Sequence, residues 1–341
     1  MWLYILRRIV LMVPTLLGAL TVTFVVIQFV PGGPVEQALA EARIGRGGLY
    51  KARGDTDAKQ IEELKKQYGF DQPAHVRYVQ MLGSFARFDL GRSFSHDRSV
   101  WQLIKEKLPV SISLGVWTFL VSYLISIPLG IAKAVREGSR FDTASTMFVL
   151  AGFAIPGFVL GVFLIVLFAG GSFFELFPLR GLTSDNWTEL TWGARIRDYL
   201  WHLALPLTCY VIESFAVITL LTKNTFIEEM RKQYVLVARA KGLSPMRVQW
   251  KHIFRNALIP LVTGLPAAFV GAFFAGSLLI ESLFSLDGLG LLSYESVIRR
   301  DYPVVLGSLF LFTLIGLAVK LASDLLYVVI DPRVQFASAA K

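Results

Sequence analysis

The sequence predicts an all-α polytopic membrane protein with six transmembrane helices. Three observations carry that reading. Six apolar stretches are each long enough to cross a bilayer, only 17% of the 341 residues are charged, and the charges gather between the stretches. A soluble domain carries about 25% charged residues, so lipid is the expected solvent.

The stretches run over residues 9–30, 110–132, 143–170, 201–222, 258–280 and 304–330. A helix rises about 1.5 Å per residue, so a run of about 20 covers a hydrocarbon core of about 30 Å with every backbone amide satisfied internally. Arg7 and Arg8 precede the first stretch as they would a cleaved signal. That stretch exceeds an ordinary signal core, however, and ends in Pro31-Gly32-Gly33-Pro34 without a small-x-small cleavage pattern, so it reads as a retained anchor.

Orientation follows from the short loops. Lys133, Arg136 and Arg140 crowd the loop after the second stretch, and eight Lys or Arg lie in 223–255 against Glu228 and Glu229. Basic short loops stay in the cytoplasm, which gives an N-in, C-in topology with external segments 31–109, 171–200 and 281–303. The chain then divides into a cytoplasmic end and first helix (1–30), a periplasmic segment with short helices (31–109) and a five-helix core (110–341). In the periplasmic segment a Gly-rich, charged loop around 45–57 precedes an amphipathic pattern through Ile61, Leu64 and Tyr68. Asp71-Gln72-Pro73 interrupts it, and Val76, Tyr78, Val79, Leu82 and Phe85 predict a second helix lying against the membrane face.

The cytoplasmic loop 223–257 has its own punctuation. A helix from Glu228 reaches Ala240-Lys241, Gly242 supplies a left-handed stop, and Ser244-Pro245 offers an N-cap with proline at the first helical position. A second helix through Val248, Trp250, Ile253 and Phe254 leads to Arg255-Asn256 and then Pro260. The product is a basic helix-Gly-helix elbow, with Arg239, Lys241, Arg247 and Lys251, tied at both ends to membrane helices.

The run Tyr234-Val235-Leu236-Val237-Ala238-Arg239-Ala240-Lys241-Gly242-Leu243, followed by His252, Arg255-Asn256-Ala257 and Pro260, resembles the EAA loop of ABC importer permeases, in the form of the dipeptide and oligopeptide branch. Ala238 stands where the generic motif has glutamate. Other stretches look like landmarks of the same branch: Leu6-Arg7-Arg8, Tyr68-Gly69-Phe70-Asp71-Gln72-Pro73, Asp89-Leu90-Gly91-Arg92-Ser93, Phe284-Ser285 with Gly288-Leu289-Gly290, Arg300-Asp301-Tyr302-Pro303 and Asp331-Pro332-Arg333. Leu221-Thr222-Lys223-Asn224, Phe177-Pro178-Leu179-Arg180-Gly181 and Ser282 to Gly288 are most similar to the Yej-type subgroup, associated with uptake of microcin C-like peptide-nucleotides and other peptides.

The resemblance implies a type I importer permease of the bacterial inner membrane that moves peptides or peptide-like compounds by alternating access. It implies that Ala238, Arg239, Ala240, Lys241, Gly242, Ser244, Pro245, His252, Arg255, Asn256 and Pro260 form the loop that docks on an ATPase. The implied partners are a homologous second permease, one or two ABC ATPase subunits or a single fused double-domain chain, and a periplasmic peptide-binding protein. ATP and Mg are expected on the partner ATPase, since this chain has no G-x-x-x-x-G-K-[ST] loop. No H-E-x-x-H, Cys/His cluster or G-x-S-x-G occurs either, so neither a metal site nor an enzyme is expected. The net charge of +9 and pI near 9.6 sit in topology-setting loops and do not call for nucleic acid.

Glu213, within the fourth stretch, and Lys320, within the sixth, place charge where it is costly. Lys320 has Asp324 one turn on, whereas Glu213 has no local partner and is a candidate to meet a cationic substrate group or another subunit. The fifth stretch carries small-residue stripes at i+4 spacing, Gly264, Ala268, Ala272, Gly276 and Ala267, Gly271, Ala275. One packs against a neighbouring helix, and either can line a passage. With Glu213 they are the candidate translocation path. Cys209 reads as a small membrane-helix residue, and His202 as an interfacial one. The competing reading is an ion-coupled secondary transporter or channel using Glu213 and Lys320. No internal inverted repeat is visible to favour it.

Overall fold

The computed structural model describes residues 2–30, 33, 35, 62, 66, 70–171, 173–274 and 278–330. The predicted loop at 45–57, the pattern at Ile61, Leu64 and Tyr68, and Asp331-Pro332-Arg333 lie outside them. In chain order the α-helices are α1 (Trp2–Phe29), α2 (Ala74–Phe85), α3 (Val100–Val135), α4 (Arg140–Ala154), α5 (Gly157–Phe168), α6 (Trp192–Met230), α7 (Gln233–Ala240), α8 (Pro245–Val248), α9 (Phe254–Ala257), α10 (Ile259–Phe274), α11 (Leu278–Leu283), α12 (Leu289–Ile298) and α13 (Tyr302–Ile330). The all-helical expectation holds for the described residues, and α1, α3, α6 and α13 are each long and apolar enough to cross a membrane.

The third predicted span needs correction. Residues 143–170 are not one straight helix but α4 and α5, bent by 94°. Proline forces the residue before it out of the helical region, and Ile155, ahead of Pro156, is extended at φ −90°, ψ 116°. Counted as one, this broken pair is a fifth candidate span. Pro109 and Pro128 in α3 and Pro206 in α6 leave their helices unbroken, so proline alone does not announce the bend. The fifth predicted stretch is α10 followed by α11, with residues 275–277 outside the described set.

Two compact units divide the chain, residues 1–108 with 292–317, and residues 109–291 with 318–341. In the first, α2 lies against α1 as its amphipathic pattern predicts. Tyr78 shares a 2.5 Å hydrogen bond with Thr21 and packs its ring on Phe24, while Arg77 donates to Gln28 at 2.7 Å. Phe85 is buried and meets Phe310, whereas Val79 turns out to be exposed. Two sequence landmarks meet in this unit. The carboxylate of Asp301, 1% exposed, accepts from the Ser93 hydroxyl and from the amides of Phe94 (3.0 Å) and Ser95 (3.1 Å).

In the second unit α3 and α6 approach at Gly130. A Cβ there would stand 2.6 Å from Thr222 Cβ and 2.8 Å from the Thr219 carbonyl, so only glycine permits the crossing. An apolar cluster of Leu114, Leu203, Cys209, Ile280, Phe284 and Leu286 lies in the same unit. Cys209 is fully buried there, as its small-residue reading requires. Gly181 donates to the Phe284 carbonyl at 2.9 Å, joining two landmark segments. His202 is buried, its Nδ1 2.9 Å from the Asp198 carbonyl one turn back.

Candidate functional site

The elbow turns at Gly242 as predicted, but its first helix does not run from Glu228: α6 continues to Met230, Lys232 is extended at φ −75°, ψ 150°, and α7 begins at Gln233. Gly242 has φ +77°, a left-handed position where a Cβ is penalised. Ser244 has the extended N-cap backbone and Pro245 opens α8, but the Ser244 hydroxyl makes no capping bond. A π-turn over Gln249–Ile253 then joins α8 to α9. That turn has a packing reason. It brings Val248 and Ile253, five residues apart, onto one buried face, which ordinary helical spacing does not do.

That face closes an apolar cluster of Ile131 and Ala134 from α3, Phe226 from α6, Val235 and Ala238 from α7, and Val248, Ile253 and Ala257. The elbow is therefore seated on the ends of two long helices. Ala238 is 7% exposed within the cluster, and a glutamate there would have to bury its carboxylate. Tyr234 donates to Glu229 at 2.6 Å. Burial, with that bond, pushes its hydroxyl up to about 12. The same carboxylate bonds Lys232 and raises its ammonium pKa.

The opposite side of the elbow is open. Arg239, Ala240, Lys241, Gly242, Ser244, Pro245, Arg247, Lys251 and Arg255 are exposed, while His252 and Asn256 are half-buried. Pro260 lies on α10 and lines the cavity between α3, α6 and α10 instead. Leu236, Val237, Met246 and Trp250 are exposed apolar residues among those cations. Such a mixture suits a protein partner better than bare solvent.

Beside the seat lies a buried ion cluster that sequence reading missed. The Lys133 ammonium is 0% exposed and donates to Ser145 (2.8 Å), Thr146 (2.7 Å) and the Asp142 carbonyl (3.0 Å), with Asp142 Oδ1 at 3.3 Å. Lys223 reaches both Asp142 oxygens, at 2.7 and 2.8 Å. One carboxylate thus joins the end of α3, the start of α4 and the part of α6 that feeds the elbow. Lys133 is not a solvated topology charge, as its place in a basic loop suggested.

A cavity of about 450 Å³ opens between α3, α6 and α10. Glu213, Gly264, Ala268 and Gly271 line it with Thr118, Ser122, Tyr123, Tyr210 and Ser214. Its small residues come from both predicted stripes, so neither stripe alone is the lining. Ala267 and Ala272 lie on α10, and Ala275 and Gly276 fall outside the described residues. Glu213 has a partner that no sequence pattern shows. Its Oε1 accepts from the amide of Gly157 at 3.0 Å, placing a carboxyl oxygen on the first amide of α5 after the bend, one of the amides a helix leaves without an internal partner. Lys320, by contrast, is exposed on α13 and lines neither place.

A family model described as "Binding-protein-dependent transport system inner membrane component" matches residues 126–336. The chain is 52% identical to a peptidoglycan transport system permease protein YejB of Agrobacterium fabrum, over 98% of each chain. It is 49% identical, again over 98% of each, to the inner membrane ABC transporter permease protein YejB of Escherichia coli O157:H7. A di/tripeptide transport system permease protein DppB of Pseudomonas aeruginosa is 31% identical over 97% of this chain and 98% of its own.

Proposed function

Because this chain belongs to the binding-protein-dependent transport system inner membrane components, we propose that it forms half of the pore of an ATP-driven importer for short peptides and peptide conjugates. The chain is a multi-pass, non-catalytic ABC importer permease subunit of the bacterial inner membrane, and ATP hydrolysis belongs to a partner. The finer reading completes six spans in an N-in, C-in, type I arrangement, with α4–α5 as a broken third span and α10–α11 as the fifth.

The observation that carries the mechanism is the seat of the elbow. Its exposed side, apolar and cationic, docks on an ABC ATPase that holds ATP and Mg, while its buried side rests on α3 and α6. Closure of the ATPase pair pushes the elbow, and the push reaches the helices that wall the cavity at Glu213, Gly264, Ala268 and Gly271. A homologous permease supplies the other wall, and a periplasmic binding protein delivers the peptide to the external segments. Relatives named for peptidoglycan and di/tripeptide transport support a peptide backbone as the common substrate chemistry. Microcin C-like conjugates fit the same class.

Affinity purification of the tagged chain from mild detergent tests this directly. Co-elution of a second permease and a Walker-motif ATPase, with ATP turnover in the eluate, is the expected result. A homomer without ATPase would overturn it.

A further inference from the structure

We infer that the cavity at Glu213 holds a subsite for the free ammonium group of the peptide, which rests on the peptide-importer reading above. Glu213 is the one carboxylate in the cavity lining, which contains no Lys, Arg or His. Among the described residues no cation lies within ion-pair distance of it. Glu213 is exposed to the cavity, and an ionisable side chain of a membrane helix that faces a cavity marks a candidate functional site.

Its geometry leaves room for one. The Gly157 amide engages Oε1 alone, and a carboxylate can accept about four hydrogen bonds, so capacity remains for an ammonium, which donates three. The walls suit that group. Tyr123 and Tyr210 bring aromatic rings to the cavity, and ring faces attract cations. Ser122 and Ser214, paired at 2.7 Å, add hydroxyl acceptors.

Lone helix capping is the bland alternative, and one substitution separates the two. In Glu213→Gln the amide oxygen still accepts from Gly157, so the cap survives while the charge is lost. The experiment compares uptake of trialanine and of N-acetyl-trialanine, in which a neutral acetamide replaces the ammonium. It uses proteoliposomes carrying the whole complex with excess binding protein, whose own preference cancels in the variant-to-wild-type ratio for each peptide. The subsite predicts that Glu213→Gln lowers trialanine uptake about tenfold and leaves N-acetyl-trialanine uptake within about twofold. Equal loss of both, or loss of neither, overturns it. A wild-type complex that moves neither peptide contradicts the short-peptide reading itself, and the subsite falls with it.

Discussion

Two buried aspartates hold this chain together by different chemistry. Asp142, beside the elbow seat, is neutralised by the ammoniums of Lys133 and Lys223, whereas Asp301 is held by a hydroxyl and two backbone amides, with no countercharge among the described residues. Where charge answers charge, every member depends on the others, because removing one leaves a buried ion unpaired. Where dipoles answer charge, removal leaves only neutral donors, which water satisfies at lower cost. The elbow seat is thus a joint that fails as a unit, and the Asp301 turn one that loosens locally.

The largest effect should come from Asp142→Ala. It leaves Lys133 buried beside Lys223 without an anion, a loss on the order of 3–5 kcal/mol, read as a fall in the thermal midpoint of the purified complex. Loss below about 1 kcal/mol would show that the cluster does not hold the three helices. Asp301→Ala should cost less, roughly 1–3 kcal/mol. Hydrogen exchange should show the loosening confined to residues 93–96 rather than spread over the unit. An Asp301 variant that melts before the Asp142 variant would invert the comparison.

Glu281 sharpens the same contrast with the smallest effect. It is fully buried on α11, with Oε2 accepting from the Leu291 amide at 2.7 Å. Like Asp301 it is held by the backbone, and Glu281→Gln keeps an oxygen that can accept the same bond. That variant should lower the thermal midpoint by less than about 1 kcal/mol of stability. A loss as large as that of Asp142→Ala would contradict the contrast.

The contrast also marks what the sequence could reveal. Helix positions were legible from apolar run length, and the elbow from Gly242 and Pro245, because a left-handed stop and a first-turn proline are local signals. The joints were not. Asp142 is nine residues from Lys133 but 81 from Lys223, and Asp301 is 208 from Ser93, so neither pairing leaves a periodic trace. Lys133 reads as one more loop cation until its burial is seen. Glu213 meets the Gly157 amide from 56 residues away, and a bond to the backbone leaves no side-chain pattern to read. The bend at Pro156 escaped because similar prolines sit inside unbroken helices, where lipid surroundings and neighbouring helices tolerate them.

If the elbow carries the ATPase stroke to α3 and α6, the ratio of peptide moved to ATP hydrolysed in proteoliposomes reports it most directly. Gly242→Val introduces a β-branched residue at φ +77° where nothing lies within 4 Å of the added Cβ, so it strains the turn without a clash. In that variant ATP hydrolysis should persist at half the wild-type rate or more while peptide uptake falls about tenfold, a strain of about 1–2 kcal/mol placed on the stroke. An unchanged ratio in that variant would contradict it.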